Sequence, residues 1–262
     1  MRRPSIMKTA LCAGLVLAFA SGGCIVISDG NLRGKANRMD NLTVAVGSAS
    51  ALRVTTNVGA INLDPANTTE VHVTANVTVK AKTDEEAAEL LPEVHVTAEA
   101  SGDEIVVKAD KPSDFGRNQL TVDLTITAPA GLRLYCTTNV GNIRADGFTG
   151  RVEAHTDVGA ITCDNLHGTA SLHTNVGDVR ATYVSDAPAA LDVSISTNVG
   201  KIDFTGPSQI SAQVGAGANV GDVHTSRPLT VTGSVGKSVS GTLGDGQGHI
   251  DLRTNVGSIT IH

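Results

Sequence analysis

The sequence predicts an all-β protein: a parallel β-solenoid with coils of about 18–23 residues, joined to an N-terminal β layer that includes one short helix. Composition is the first reason. Of the residues, 40% are hydrophobic but only 2% are aromatic, so the core must be built largely from the aliphatic and β-branched residues that favour strands. The second reason is the alternation of apolar and polar residues in several runs. The third is a tetrapeptide, Thr-Asn-Val-Gly, which occurs five times and has three near copies.

Residues 1–23 have the features of a secretory signal peptide. Three basic residues precede an apolar run over 10–20, which is too short to span a bilayer as a helix. The segment ends in Ser-Gly-Gly-Cys24, which resembles a bacterial lipobox and predicts that Cys24 becomes the lipidated first residue of an exported envelope protein. An ordinary signal peptide, with Cys24 as a plain thiol, is the alternative. Ile25 stands where an inner-membrane retention signal has Asp, which in a Gram-negative cell indicates the outer membrane.

Charge limits the partners of the mature chain. Removal of the signal peptide leaves 17 basic and 26 acidic residues, a formal charge of −9. Nucleic acid is not an expected partner, because affinity for it depends on Lys and Arg contacts to phosphate. Electrostatic docking to anionic lipid is also disfavoured, so the lipid on Cys24 is the predicted link to the membrane. The further partner is expected to be an envelope protein or a glycan of unknown identity.

Two segments precede the main series of repeats. Residues 24–40 are predicted to be the lipidated cysteine and a polar tether, because they show no sustained hydrophobic period. Residues 41–130 are predicted to be the N-terminal β region, because four runs in it alternate between apolar and polar residues, as strands with one buried face do.

One helix is predicted within the β region, over residues 83–91. Thr83 and Glu86 have the spacing of a capping box, in which each side chain bonds the backbone N–H of the other residue. Pro92 ends the segment, because proline cannot continue a helix.

Residues 131–262 carry the repeats of the solenoid. Counted from the glycine that ends each copy, the positions seven and five before it and two and four after it are nearly all apolar, and the positions between them are polar. This pattern predicts strand, turn and strand, with coils stacked in parallel and in register. The copy at Gly236 breaks the pattern, and its coil is expected to be irregular. The predicted turn glycines, including an early copy in the β region, are Gly59, Gly141, Gly159, Gly177, Gly200, Gly221, Gly236 and Gly257.

Each copy of the tetrapeptide is predicted to be a corner between two strands. Glycine adopts positive φ without steric cost, and Asn or Asp two positions earlier can bond nearby backbone. Stacked coils would bring these side chains into a ladder, with the valine beside each of them pointing inward. A structural role explains the motif, and a ligand groove lined by the Asn row is the functional alternative. The ladder residues are Asn57, Asn139, Asp157, Asn175, Asn198, Asn219 and Asn255.

The stretch VDLTITAPAGLRLYCTTNVGNIRADGFTGRVEAHTDVGAITCDNLHG resembles the bacterial putative-adhesin family, a domain of unknown function. Its members pair a strand ending in Pro-x-Gly, here Pro129 and Gly131, with T-x-x-G-x-I repeats. The resemblance covers about residues 42–262 and implies a β-solenoid. It transfers no catalytic residue, and this chain differs in favouring Asn-Val before the glycine.

No catalytic, cofactor-binding or metal-binding constellation is predicted, and the protein is not expected to be an enzyme. His155 and His173 occupy the same outward position in adjacent coils and could share a metal, but the sequence supplies no evident third ligand, and a solvated surface row is the simpler interpretation. Asp178 and Asp222 share the position after the glycine, but the coil between them has Lys201. The paired carboxylates that cleave polysaccharides are therefore not predicted.

Two cysteines remain in the body of the chain, Cys136 and Cys163, both in inward positions of neighbouring coils. A disulfide is allowed in an oxidising envelope, but one position lies before the turn and the other after it. Their Cα atoms need not approach within the roughly 7 Å that a bridge requires. Two buried thiols are the favoured interpretation, and a disulfide is the alternative.

The last tetrapeptide is followed directly by residues 258–262, so the final coil is expected to be a bare end of the solenoid that self-associates or binds a partner.

The favoured function is a lipid-anchored, non-catalytic scaffold or adhesin-like binding module of the cell envelope. One alternative is an envelope-stress or regulatory component that binds a membrane partner. The other is a polysaccharide-active β-helix enzyme.

Overall fold

Two β-sheets enclose one hydrophobic core in the computed structural model, which describes residues 34–110, 115, 118–231 and 237–262. The predicted signal peptide, Cys24 and the Gly236 turn lie outside the described residues. The predicted fold class is confirmed: most of the described chain is strand, the coils are parallel, and one short α-helix, α1 (Asp84–Leu90), occurs in the described part. A 3-10 turn over Leu91–Glu93 follows the helix directly.

The strands are β1 (Gly34–Ala45), β2 (Ala51–Val58), β3 (Ile61–Ala66), β4 (Glu70–Ala81), β5 (His95–Ser101), β6 (Glu104–Asp110), β7 (Gln119–Pro129), β8 (Arg133–Val140), β9 (Ile143–Asp146), β10 (Val152–Val158), β11 (Ile161–Leu166), β12 (Ala170–Val176), β13 (Val179–Tyr183), β14 (Asp192–Val199), β15 (Ile202–Thr205), β16 (Ala212–Val220), β17 (Val223–Thr225), β18 (Thr230–Val231), β19 (Ser238–Leu243), β20 (Gly248–Val256) and β21 (Ile259–Ile261). The first sheet has the order β1-β4-β7-β3-β9-β11-β13-β15-β21-β17, and the second has the order β18-β19-β16-β20-β14-β12-β10-β8-β2-β6-β5.

Each coil places one strand in the second sheet, turns at its glycine and places the next strand in the first sheet. The coil of Gly141 shows the pattern: β8 leads into the turn and β9 leaves it. Its predicted inward residues Leu134, Cys136, Ile143 and Ala145 are at most 2% exposed. Because every coil repeats these positions in register, stacking buries a continuous aliphatic core.

The final coil is not a bare end, contrary to the expectation from the sequence. Strand β20 pairs with β14 on one side and β16 on the other, and β21 lies between β15 and β17 in the same way. The coil of Gly257 is therefore inserted between the coils of Gly200 and Gly221. Both sides of its strands are paired within the chain, which removes the reason for expecting self-association through it.

The predicted tether is too long, because its last seven residues belong to β1. This strand pairs antiparallel with β4 over twelve residues, from Gly34 with Ala81 to Ala45 with Glu70. The strand was missed because it lies at the edge of its sheet and the few residues that it buries in this part, such as Ala36, are small.

Arg38 closes the N-terminal end of the solenoid. Its guanidinium donates from Nη1 to the Leu91 carbonyl at 2.9 Å and from Nη2 to the Val94 carbonyl at 2.8 Å, and it forms a bidentate ion pair with Asp40. Helix α1 begins where the sequence predicts a cap: the amide of Glu86 donates to the Thr83 hydroxyl at 3.2 Å. The side of α1 that carries Ala87 covers the core.

The chain does not divide into two packing units at residue 130. Strand β2 pairs with β8 and β3 pairs with β9, so the coil of Gly59 continues the stack that begins again at Gly141. The N-terminal β region and the repeats share one core, and the early tetrapeptide copy is the first corner of the same solenoid.

Candidate functional site

In the described residues, seven corners lie in a row along one edge of the solenoid, hereafter the turn edge. With one strand separation of about 4.8 Å per step, the row is roughly 29 Å long. In spatial order the corners are those of Gly59, Gly141, Gly159, Gly177, Gly200, Gly257 and Gly221.

Glycine is required at these corners by conformation and by close approach. The seven φ angles lie between +133° and +155°. The amide of Gly177 donates to the Val199 carbonyl of the next coil at 2.9 Å, and a Cβ at Gly177 would overlap the carbonyl oxygen of Gly159. The corners therefore stack backbone on backbone, which makes the turn edge stiff.

A row of buried threonines joins successive corners from that of Gly59 to that of Gly257, and sequence reasoning missed it. Thr174 is fully buried and donates from Oγ1 to the Gly159 carbonyl at 3.0 Å. The threonines at the same position in four other coils donate equivalent bonds of 3.0–3.3 Å to the carbonyl of a neighbouring corner glycine. The signal was present, because the position three before the glycine is threonine in six of the seven described copies, and the coil of Gly221 has Ala218 instead.

Replacing Thr174 with valine should destabilise the protein by about 1–2 kcal/mol, because the shape is kept while the Gly159 carbonyl loses its hydroxyl partner. Urea unfolding followed by circular dichroism measures the change. Thr162→Val is the control: Thr162 lies on the outer side of β11, and its replacement should shift the free energy of unfolding by less than about 0.5 kcal/mol. Equal effects of the two variants would contradict this role of the threonine row.

The valine of each corner is exposed, so the prediction that it points inward is wrong. Strand alternation places the buried threonine inward, but the chain then changes direction, which leaves the next two residues on the outside of the corner. The exposed fractions range from 38% to 60%, and the seven valines form a continuous apolar row. They are Val58, Val140, Val158, Val176, Val199, Val256 and Val220.

The Asn and Asp side chains beside these valines form two hydrogen-bonded runs. In the longer run, Asn175 donates from Nδ2 to Asp157, Asn198 to Asn175, Asn255 to Asn198, and Asn219 to Asn255, over 2.8–2.9 Å. In the shorter run, Asn139 donates to Asn57 at 3.2 Å. The direction of donation is the same throughout the longer run, so each of its asparagines uses one of its two amide hydrogens within the ladder.

A cavity of about 620 Å³ opens at the Gly59 end of the turn edge. Strand β6 ends at Asp110 and β7 begins at Gln119, and no Asn-Val-Gly corner joins them. Every described residue that lines the cavity is uncharged. The polar ones are Thr56, Asn57, Asn118, Gln119, Thr121 and Asn139, and the apolar ones are Val58, Ala109, Leu120, Val122 and Val140.

The histidines singled out from the sequence stack on the outer face of the second sheet. The ring centroids of His155 and His173 lie 5.0 Å apart with an interplanar angle of 7°. His173 Nδ1 lies 2.7 Å from the Ser196 hydroxyl, and His155 Nε2 lies 3.6 Å from Asp157. Over residues 34–110, 115, 118–231 and 237–262, no group of three or more His, Cys, Asp and Glu side chains is placed to hold a metal ion.

The two acidic residues that directly follow a described corner glycine are far apart. Asp178 and Asp222 have the coils of Lys201 and Ser258 between them, a separation of about 14 Å at three strand spacings. Asp178 accepts the backbone amide of Lys201 at 2.7 Å, which is a structural use of the carboxylate.

Cys136 and Cys163 are buried and free rather than bridged. Burial raises the pKa of Cys136 to about 12, and burial together with nearby Cys136 and Asp164 raises the pKa of Cys163 as well. Both thiols therefore stay protonated in the folded protein at neutral pH.

These thiols should make stability fall at high pH. Unfolded thiols ionise near pH 8.5. From there to the folded pKa, the unfolded state loses protons that the folded state retains, so the free energy of unfolding decreases by roughly 1.4 kcal/mol per pH unit for each thiol. Urea unfolding between pH 8 and 11 should show a steeper decline for the reduced wild type than for Cys136→Ala/Cys163→Ala. Parallel declines in the free energy of unfolding of the two proteins would contradict this contribution of the thiols.

The chain belongs to the Toastrack DUF4097 family, whose model matches residues 96–262. No curated protein matches the chain. Among solved structures, a putative cell adhesion protein from Clostridium sporogenes is similar, with 14% identity over 86% of this chain and 98% of its own and a TM-score of 0.46. The chain is also similar to a putative adhesin from Bacteroides fragilis, with 12% identity over 86% of this chain and 97% of the other and a TM-score of 0.35. A putative lipid binding protein from Parabacteroides distasonis is similar too, with 10% identity over 86% of this chain and 96% of its own and a TM-score of 0.35. Within the described residues, no helix has the length and apolar character needed to cross a membrane.

Proposed function

We propose that this protein is a non-catalytic binding module of the cell envelope, exported and held at the outer membrane by lipid on Cys24, and that it binds its partner through the turn edge. The observation that carries the proposal is the row of seven valines that are 38–60% exposed. Scattered exposed aliphatic residues are ordinary, but a contiguous apolar row is typical of an interaction surface.

The stiffness of the turn edge supports a binding role. A backbone bond joins each pair of neighbouring corners, and a threonine bond also joins every pair except those of Gly257 and Gly221, so the valines and asparagines are fixed in position before a partner arrives. Binding to a preformed surface avoids the entropic cost of ordering flexible side chains and loops. Asp178 and Asp222, the two acidic residues that directly follow a corner glycine in the described residues, have two coils between them, which supports binding rather than glycan cleavage.

The anchoring part of the proposal is tested in cells. Cys24→Ser should move the protein from the membrane pellet to the soluble fraction and should abolish incorporation of an alkyne-labelled palmitate. Wild-type protein that takes up no fatty-acid label would overturn the anchor while leaving the binding role standing.

The binding part is tested with full-length Cys24→Ser protein added to isolated cell envelopes, since the anchor would otherwise retain every variant. Val176→Ser/Val199→Ser should reduce the fraction that sediments with the envelopes at least about fivefold. Met39→Ser is the matched control, because Met39 is 51% exposed on β1, away from the corners. Equal sedimentation of the two variants, or no sedimentation of the parent protein, would overturn the turn edge as the binding surface.

A further inference from the structure

The turn edge presents a row of hydrogen-bond donors. An asparagine amide has two N–H groups, and the ladder uses one from each donor. Asn198, Asn255 and Asn219 are exposed, so the second N–H group of each is available to a ligand. Beside each amide stands an exposed valine, so every corner offers one polar donor and one apolar contact.

The spacing of these contacts discriminates between linear ligands. Corners repeat every 4.7–4.9 Å, whereas the side chains on one face of an extended peptide repeat every two residues, about 6.6 Å, and so cannot meet successive corners. In an extended β-1,4-linked polysaccharide, successive sugar rings are spaced close to one strand separation. A sugar ring also has the matching chemistry: an apolar C–H face for valine, and hydroxyl or acetamido oxygens for amide donors.

Charge favours an uncharged glycan. The ladder contains one carboxylate, Asp157. The row of residues that directly follow the corner glycines contains two carboxylates, Asp178 and Asp222, and one cation, Lys201. The complete chain has a formal charge of −6. An anionic polysaccharide would be repelled, and the described corners offer no row of cations to hold it.

The cavity at the Gly59 end fits the terminus of such a chain. Asn57 and Asn139 belong both to the ladder and to the cavity wall, so the donor row leads into the cavity. Asn118 and Gln119 add two further amides, and none of the described lining residues is ionisable. The volume of about 620 Å³ is within the range of small-molecule sites.

We infer that the turn edge binds an extended, uncharged β-1,4-linked polysaccharide, with one sugar ring at each corner and a terminal ring in the cavity. The inference rests on the proposed function and names its ligand class. The described corners lack the aromatic platforms on which sugars commonly stack, so each ring contributes little and affinity grows with chain length.

Calorimetric titration of the full-length protein with chitohexaose, cellohexaose and chitobiose tests the inference. At least one hexaose should bind at least about tenfold more tightly than chitobiose. Asn198→Ala should weaken that hexaose about fivefold or more, whereas Ser194→Ala, on the outer face of the same strand β14, should leave it within twofold. Val199→Thr, which keeps the side-chain shape, is a second edge variant and should weaken the hexaose if Asn198→Ala perturbs folding.

Three outcomes would overturn the glycan assignment: no binding of either hexaose at millimolar concentration, no dependence on chain length, or equal binding by wild type, Asn198→Ala and Val199→Thr. If the valine variants lose envelope binding while no hexaose binds, the turn edge is a binding surface for another class of ligand. In that case the proposed function stands and the glycan assignment fails. If neither assay responds to the edge variants, both fail.

Discussion

Gly177→Ala should unfold the protein or destabilise it by about 4 kcal/mol or more, which is an exceptional effect for one methyl group. Gly177 has φ +155°, and the added Cβ would overlap the carbonyl oxygen of Gly159 in the neighbouring coil. That oxygen is backbone and also accepts the Thr174 hydroxyl, so it cannot move aside without breaking the corner. Urea unfolding and the yield of soluble protein measure the effect.

Gly217→Ala is the control for a glycine without these constraints. It lies within β16, and a Cβ there would meet no atom within 4 Å. Its replacement should change the free energy of unfolding by less than about 0.5 kcal/mol or raise it slightly, because glycine is unfavourable in a strand. A Gly177→Ala protein as stable as Gly217→Ala would show that the corners are not packed backbone on backbone.

Leu252→Ala should destabilise the protein by about 3–4 kcal/mol, towards the upper part of the range for buried leucine. Leu252 is fully buried on β20, between Ile195 of β14 and Ala216 of β16. The cavity left by the substitution would lie inside the stack, where paired strands on both sides prevent collapse. The free energy of unfolding from urea titration is the measurement.

Leu229→Ala provides the comparison, because Leu229 is only partly buried near the end of the stack. Its replacement should cost about 1–2 kcal/mol, since part of the side chain is already in contact with water and the end of the stack can relax around the smaller residue. If the coil of Gly257 ended the solenoid, Leu252 would have neighbours on one side only. Equal effects of the two substitutions would therefore argue against the insertion of the coil of Gly257 between two other coils.

The repeating positions made the fold predictable from the sequence. The inward residues of each coil, such as Leu134 and Ile143, recur at fixed distances from the glycine, and a single assignment of inside and outside therefore applies to every copy. The same counting failed at the corner, because alternation holds only while the chain runs straight. Val140 lies an even number of residues after Leu134 and Cys136, so strict alternation would place it inward, yet the change of direction exposes it.

The candidate site was therefore only half predictable. The asparagines were recognised as a ladder, but the exposed valines beside them were assigned to the core, which hid the amphipathic character of the turn edge. The cavity was not predictable, because it depends on which strands flank the coil of Gly59. Strand β7 lies beside β3 there, although three strands, β4, β5 and β6, and helix α1 come between them in the chain.

The order of the coils could not be read from the sequence either. Because all copies share one register, a coil can pair equally well with any other copy, and the period specifies the alignment of two coils but not which two are neighbours. The coil of Gly221 also extends its sheet through the antiparallel strand β19, so it can stand at the end of the stack while the coil of Gly257 occupies the position inside.

Continuity of the turn edge depends on this order, and disulfide trapping measures it directly. In the Cys24→Ser protein, Ser196→Cys with Arg253→Cys should form a disulfide under mild oxidation, because these residues are paired across β14 and β20 at about 4.8 Å. Ser196→Cys with Gly217→Cys should stay reduced, because β20 lies between them and separates them by about 9.6 Å. Mass spectrometry distinguishes the two states. A disulfide in the second pair and none in the first would show that the coils stack in chain order, and would contradict the inserted C-terminal coil and the continuous row of seven corners.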